Sequence, residues 1–496
     1  MSKEACIKII PQMEVLWADF ENLEPDRSTP TYSPGSDTPT YSPGSDISGF
    51  FPQFPVLVKG NGEPWTLGNL YLLRRLALKS DRYEVETYNS IAKSLLKYLR
   101  FLERENLDPL KFHPRIPLKR PTYRFRSLLL EQVSTGEISP STASSTINAI
   151  INFYKGLASY GVLESGVLEK AHTEKEILLP IITSSGFSKL LTISSSDLAI
   201  KKPTSSQSPD GIRDGGSLFP LSKNQQELLF EQLRNSEHCI FIFFLFALMT
   251  GARIQTVGTL RIETLRSAQK TSDGDYIVRV GTGTKVDTKK GRIHRLIIPR
   301  TLYQTLLTYI DSPSAKRRRK KSYYGDFDNN YIFLTRTGTP YYTSKIEKQE
   351  RRNPDYHSKV GLETGAKGAS PKSGEAIRKY IGEVLLPNLR KKDPNFPNFS
   401  FHDLRATFGM NLLETLLRYI DEHNAKEKQK GSDNFIGTQW AIEQVQERMG
   451  HANINTTIGY LNYRRNSQWR AKIISEVEDQ LMQYIPESAL AILGDR

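Results

Sequence analysis

Apolar residues recur at steps of three and four through "ETYNSIAKSLLKYLRFLERENL", where Tyr88, Ile91, Leu95, Tyr98, Leu99 and Leu102 alternate with Lys93, Lys97 and Arg100. This spacing predicts an amphipathic helix of a small bundle. A second helix is predicted in "SPSTASSTINAIINFYKGLASYG", with Ser139-Pro140 as its start signal and Gly161 as its stop. The run "CIFIFFLFALM", Cys239 to Met249, is apolar on every side yet too short to cross a bilayer, so it predicts a buried helix. The pattern then turns strand-like in "YIVRVGTGTK", "RIHRLIIP" and "YIFLT", and helical again to the end. The expected fold is mainly α with a small antiparallel β-sheet.

Breaks in this pattern divide the chain. Thr29 to Asp46 is the nonapeptide "TPTYSPGSD" repeated twice in tandem, rich in Pro, Gly and Ser with almost nothing apolar to bury, and reads as a flexible spacer. A turn is expected at Asn61-Gly62, and helical periodicity runs from Leu67 to Gly161. A serine-rich stretch then erases the periodicity. The expected organisation is an N-terminal extension over 1–63, a helical domain over 64–180, a linker over 181–217 and a second domain over 218–496 ending in a helical tail. Ser222 is expected to cap the helix that leads into the apolar run.

Charge narrows the function. The 496 residues carry 68 Lys+Arg against 54 Asp+Glu, a formal net charge of +14, which favours a polyanionic partner, nucleic acid ahead of membrane. The segment "HPRIPLKRPTYRFR" interleaves basic and aromatic residues as a loop on a phosphate backbone would. Cys6 and Cys239 alone allow neither a disulfide framework nor a cysteine zinc site, and the N-terminus has no apolar core of a signal peptide.

Three stretches carry candidate chemistry. In "TGARIQTVGTL", Arg253 follows the apolar helix with no adjacent carboxylate, so a bound phosphate is one candidate partner; a structural arginine at a helix junction is the plainer reading. In "FSFHDLRATFGM", Ser400 and Asp403 resemble a capping box that starts a helix near Phe401, setting His402 and Arg405 three apart near an anion-favouring helix end; the alternative is a solvated helix start. In "RMGHANINTTIGYLNY", Gly450 ends one helix and Asn453 or Asn455 caps the next, leaving His451 at the corner and nine residues before Tyr460. A tyrosine hydroxyl, with its ordinary pKa of about 10, becomes a useful nucleophile only where positive charge stabilises its phenolate.

Together these boxes resemble the tyrosine recombinase, or phage integrase, family: Arg253 in "TGAR", His402 and Arg405 in "HDLR", and the Gly450-His451 pair ahead of Tyr460, in the family's order and wide spacing. The resemblance runs from about Phe219 to Tyr463, and the helical region from Leu67 to Gly161 is similar to the family's core-binding domain. It implies that Tyr460 is the nucleophile, that Arg253 and Arg405 hold the phosphate, that His402 and His451 assist, and that a hairpin lysine, Lys285, protonates the leaving oxygen, with Lys289 or Lys290 as alternatives. Many members carry an acid three residues after the first arginine, where this chain has Thr256. "SAKRRRKKSYYG" and "RRNPDYHSKVGLETGAKGASPKSG" look like insertions, expected as solvated or DNA-contacting basic loops, with a nuclear localisation signal as a lesser reading of Lys316 to Lys321.

The implied activity is site-specific cleavage and rejoining of double-stranded DNA through a 3′-phosphotyrosyl link, integrating or excising a mobile element. No cofactor and no metal is implied. The partners would be DNA, a tetramer of this chain on two sites and accessory DNA-bending proteins, with no membrane; the setting would be the cytoplasmic nucleoid of a bacterium. The tail places Ile473, Val477, Leu481 and Tyr484 at helical steps, to dock on a neighbouring subunit or on its own domain. A type IB topoisomerase-like enzyme uses the same groups, a catalytically silent DNA-binding regulator would need only the basic surface, and a metal-dependent nuclease would need a carboxylate constellation that the sequence does not offer.

Overall fold

A computed structural model describes residues 4–16, 48–78, 83–163, 165–182, 188–200, 211–350 and 371–482. The tandem nonapeptide and most of the second basic insertion lie outside the described residues. The chain divides into two compact units, 1–206 with 350–370 and 207–349 with 371–496.

The first unit opens with an antiparallel pair, β1 (Cys6–Leu16) and β2 (Ser48–Val58), in register from Cys6↔Val58 to Leu16↔Ser48. Ala5, Phe51, Phe54 and Leu57 are buried, so this part of the expected extension belongs to the unit's core. The helices are α1 (Thr66–Leu78), α2 (Val85–Arg104), α3 (Pro121–Ser134) and α4 (Pro140–Ser159). Helix α2 buries Tyr88, Leu95, Tyr98, Leu99 and Leu102, the stripe that its periodicity marks. Helix α4 starts where Ser139 Oγ accepts the Thr142 N–H at 3.1 Å, and the chain turns left-handed just beyond its end at Gly161. The two helices share a buried polar contact, Tyr98 Oη to Tyr154 Oη at 2.7 Å, and Tyr154 donates on to the Pro109 carbonyl at 2.8 Å, so both phenols are satisfied inside an apolar core.

The basic stretch expected as a loop is largely built in. It contains a single turn over Pro117–Lys119 and the start of α3. Arg120 is buried and donates to the carbonyls of His113 (2.9 Å) and Lys170 (3.0 Å), which fastens the loop to its own domain. Lys119 and Arg115 remain exposed.

The stretch 181–217, expected as a linker, is structured through most of its described residues. β3 (Glu174–Ile182) pairs antiparallel with β4 (Ser188–Ser196), and Leu198 and Ile200 bury in the first unit. Serine composition hid this because Leu190, Leu191 and Ile193 are enough to make a strand among polar neighbours. From Gly211 the chain belongs to the second unit, where β5 (Ile212–Arg213) and β6 (Ser217–Leu218) form a miniature hairpin.

The second unit forms around the apolar run. α5 (Lys223–Arg234) carries the full capping box of Ser222 and Gln225, and α6 (His238–Thr250) is the predicted buried helix. Phe243 on α6 meets the rings of Phe333, Tyr341 and Phe401 at 5.1–5.5 Å. A three-stranded sheet, β7 (Gln269–Lys270), β8 (Tyr276–Val280) and β9 (His294–Ile298), follows in that order with Val278, Val280, Leu296 and Ile298 turned inward. "YIFLT" makes only isolated bridges, Arg261↔Tyr331 and Leu334↔Pro340. Tyr331 to Leu334 are all buried, and the Tyr331 hydroxyl binds Ser344 and Glu347, so the segment is held by side chains instead of a ladder.

α7 (Arg300–Asp311) leads into α8 (Pro313–Lys320), the run expected as a solvated or DNA-contacting loop or a localisation signal. Half of it is interior. Arg318 pairs with Glu237 and donates to the Leu334 carbonyl at 2.7 Å, while Arg319 pairs with Asp326 at 2.6 Å and donates to the Ile310 carbonyl at 2.8 Å. Lys316, Arg317 and Lys320 stay exposed. The remaining long helices are α9 (Asp403–Lys430), α10 (Thr438–Met449) and α11 (Ile454–Met482), with a core of their own shared with Ile212 and Leu218 of the small hairpin. Helix α9 begins at Asp403, two residues after the expected start; the Asp403 carboxylate accepts the Ser400 N–H as a capping box requires, but the Ser400 hydroxyl donates to that carboxylate at 2.8 Å, so the box is only half formed. No described helix is long and apolar enough to cross a membrane.

Arg318→Ala leaves Glu237 half-buried beside one exposed arginine and is expected to cost about 3 kcal/mol, whereas Lys320→Ala should stay within about 0.5 kcal/mol of the parent. Urea denaturation of the two variants measures the contrast.

Candidate active site

Five segments distant in sequence meet at one point of the second unit. Arg253 follows the left-handed Gly251 that ends α6. His402 and Arg405 sit at the first turn of α9. His451 stands at the corner between α10 and α11, which Gly450 can turn because it is left-handed (φ +62°) and has no Cβ to strike the His294 ring at 2.9 Å. Tyr460 comes from the second turn of α11.

What joins them is a residue that the sequence reading did not single out. Asp214, at the tip of the β5–β6 hairpin, accepts from Arg253 Nη2 at 2.6 Å, Arg405 Nε at 2.5 Å and His451 Nε2 at 3.1 Å. Its own carbonyl oxygen lies 2.8 Å from His402 Nε2. Arg405 also donates to the Gly251 carbonyl (2.7 Å) and the Met449 carbonyl (2.7 Å), two acceptors exposed at the C-terminal ends of α6 and α10, where helix dipoles favour a cation. His451 Nδ1 lies 2.9 Å from Thr457 Oγ1, which fits an imidazole that donates from Nε2 to Asp214 and accepts from the threonine. The only sequence signal for Asp214 is "IRDGGSL", a carboxylate before a double glycine in a stretch expected as a linker.

The lysines separate. Lys285 Nζ pairs with Glu263 at 2.7 Å and lines a cavity of about 980 Å³ together with Arg279, His294 and Arg295 of β8 and β9. Lys289 instead reaches the cluster: a Cβ on Gly215, next to Asp214, would run into Lys289 Nζ and stand 3.7 Å from His402 Nε2. The structure therefore brings together Arg253, His402, Arg405 and His451 with Lys289, and leaves Lys285 on a separate ion pair. Thr256, three residues after Arg253, donates to the Asp287 carbonyl at 3.0 Å, and Thr259 Oγ1 accepts the Asp287 N–H at 2.8 Å, so this face of the helix Ile254–Thr259 holds the strap that carries Lys289.

Tyr460 is fully buried, and among the described residues its hydroxyl has no hydrogen-bond partner. Its ring lies 5.7 Å from that of His451 and packs so tightly on α9 that a Cβ at Gly409 would come within 2.5 Å of it. Burial above all, and then the Asp214 charge, push the Tyr460 phenol well above its ordinary range; Arg405 and Arg253 pull the other way. For Asp214, burial alone would raise the carboxyl, but the His451 hydrogen bond and the Arg405 and Arg253 charges together hold it well below the usual carboxylate range. Burial lowers His402 and His451, each partly opposed by Asp214.

A third histidine, His294 on β9, faces the same corner, and burial lowers it to about 4, with Arg405 and Arg253 adding to the effect. For all three histidines the fold prefers the neutral imidazole. Their contribution to stability is fully present above the unfolded value near 6.5 and is lost as pH falls through the folded value. Unfolding free energy should therefore drop between pH ~6.5 and ~4, with His294 contributing on the order of 3 kcal/mol. His294→Phe should flatten that slope in urea titrations run across the interval.

No family model matches the chain, and no curated protein matches it. Solved structures similar to it include the XerH site-specific recombinase bound to its difH substrate, with a TM-score of 0.41, 12% identity and coverage of 80% of this chain and 81% of that one. The Tn1549 transposon integrase in complex with a circular intermediate DNA gives a TM-score of 0.41 at 14% identity, covering 82% of this chain and 99% of that one. A lambda integrase dimer bound to a core site gives 0.37 at 12%, covering 79% and 94%.

Proposed function

We propose that this chain is a site-specific DNA recombinase of the tyrosine recombinase family, with Tyr460 as nucleophile. The observation that carries the reading is the convergence of Arg253, Arg405, His402 and His451 on one carboxylate, with Tyr460 packed against His451. Two guanidiniums and two imidazoles directed at one carboxylate form a donor set that suits the forked oxygens of a phosphate equally well. A tyrosine beside that anion supplies a nucleophile.

In the reaction, the Tyr460 oxygen attacks the phosphorus of a DNA phosphodiester and its proton passes to a neighbouring imidazole, His451 being the one against its ring. Arg253 and Arg405 take the two non-bridging oxygens, whose charge grows in the transition state. The P–O5′ bond breaks, and the departing 5′ oxygen receives its proton from a lysine. Lys289 fits this role because its Nζ lies against Gly215 at the tip of the hairpin, the glycine that His402 Nε2 also neighbours, while Lys285 is engaged with Glu263. The product is a 3′-phosphotyrosyl link and a free 5′ hydroxyl, and attack by another 5′ hydroxyl reverses the sequence to join a new strand. On this reading the chain acts as a tetramer on two duplex sites to integrate or excise a mobile element, within a bacterial nucleoid and with DNA-bending proteins as helpers. Ile473 and Val477, 54% and 45% exposed on α11, are apolar positions open to subunit docking among the described residues, and Tyr484 lies outside them.

Tyr460→Phe should abolish covalent linkage to DNA carrying the target site, measured as a protein–DNA adduct that survives denaturation; an adduct that persists and maps to Tyr463 would transfer the role. Lys289→Ala should slow linkage by about 10²- to 10⁴-fold on ordinary DNA and run near the parent rate on DNA with a bridging 5′ sulfur, a far weaker base that leaves without a proton. Lys285→Ala should change neither. Rescue by sulfur of Lys285→Ala alone would return the acid to Lys285.

A further inference from the structure

The anion site is already full, and its occupant belongs to the chain itself. Each of the three nitrogens of Arg405 is engaged, by Asp214, the Gly251 carbonyl and the Met449 carbonyl. The Arg405 side chain is only 4% exposed. Both ring nitrogens of His451 have partners, Thr457 and Asp214. His402 Nε2 is engaged with the Asp214 carbonyl, and Arg253 Nη2 with its carboxylate. A carboxylate and a phosphodiester offer the same thing to such donors, a single negative charge on two forked oxygens. They cannot occupy the cluster together.

We propose that the tip of the 211–218 hairpin is an intramolecular competitor for the phosphodiester: Asp214 holds the donors that the scissile phosphate needs, and must swing out before Tyr460 can react. The inference rests on the phosphate-binding reading of the site. The hairpin is built for a movement confined to its tip. Its base is fixed, since Ile212 and Leu218 are buried in the core of α9, α10 and α11, and the following Phe219 and Leu221 N–H groups bind Asp403 and Thr407 on α9. Its tip is Asp214-Gly215-Gly216 between only two ladder pairs, Ile212↔Leu218 and Arg213↔Ser217. Gly215 is left-handed (φ +82°), and nothing lies within 4 Å of where a Cβ of Gly216 would stand, so after Asp214 the turn has no side chain of its own and borders open space at Gly216. The lysine against Gly215 belongs to the same set of contacts, so release of the tip frees Lys289 together with the arginines.

An internal competitor lowers the apparent affinity for an external anion by the fraction of molecules in which the tip is displaced. The full chain carrying Asp214→Asn, which keeps the side-chain shape and removes the charge, should therefore bind inorganic phosphate more tightly than the parent, by about tenfold or more. The readout is the thermal unfolding midpoint in phosphate against chloride at equal ionic strength. The parent should show little difference, and the variant should unfold earlier in chloride, with Arg405 uncompensated, and recover in phosphate. Should the variant not fold in chloride, refolding into phosphate must rescue it. A phosphate response no larger than the parent's, or no rescue, overturns the proposal and makes Asp214 a fixed structural partner of the arginines. The same variant is then offered duplex DNA carrying the target site. A tighter phosphate response with no DNA ever linked to Tyr460, in variant or parent, leaves the competitor standing and removes the recombinase reading.

Discussion

A buried carboxylate balanced by two guanidiniums is the interaction on which the second unit's architecture turns. Arg405 is almost completely enclosed, and a lone guanidinium in that position would forfeit its hydration with nothing in return. Asp214 supplies the opposite charge, and the ends of two helices supply carbonyls to the remaining nitrogens. Four chain segments, the hairpin tip and the ends of α6, α9 and α10, are thereby tied at one point, because satisfying a planar cation with acceptors in fixed directions leaves them little freedom relative to one another. Despite its burial, the Asp214 carboxyl is held low by the His451 hydrogen bond and the same arginines; the nearby histidines are lowered first by burial, and the arginine charges add to it.

The small sheet serves this point from one side. Strand pairing sets β8 and β9 side by side, but the position of the lysine depends on how the connection between them is pinned. Thr256 and Thr259 hold Asp287 by its backbone, and the Asp287 carboxylate accepts the Lys345 N–H at 2.8 Å. With that residue fixed, the turn over Lys289–Gly291 closes back towards Thr282, whose N–H and hydroxyl both donate to the Gly291 carbonyl. Lys285 falls before the pinned residue and points to Glu263; Lys289 falls after it and reaches the site.

Tyr460 shows the tension between packing and chemistry. It lies in the apolar core of the last three helices, closely seated against Gly409, with a hydroxyl that has no partner among the described residues. A phenol in such a place is held as a neutral side chain. On the proposed reading its activation requires what the hairpin tip withholds, the nearby arginines freed from Asp214 and aligned on a phosphate.

The sequence by itself determined much of the framework. Period and caps located α2, α4 and α6, because an amphipathic stripe, a serine that accepts its own helix's N–H groups, or an unbroken apolar run each acts over a few residues and needs no distant partner. Motif spacing singled out Arg253, His402, Arg405, His451 and Tyr460, and these five lie at one corner. What depended on the tertiary structure was everything decided by contacts between residues far apart in the chain. Composition could not show that Arg318 and Arg319 turn inward, since only Glu237, Asp326 and two distant carbonyls make that burial tolerable. It could not show that a serine-rich stretch pairs as a strand, or that "YIFLT", with every strand signal, is anchored by the side chains of Ser344 and Glu347. Hairpin sequence alone favoured Lys285, with Lys289 or Lys290 as alternatives, and could not show that the pinned strap sets Lys289 against Gly215. Asp214 was the largest omission, for a physical reason: nothing within its own stretch marks it, and its importance comes from two arginines and a histidine located 39, 191 and 237 residues away.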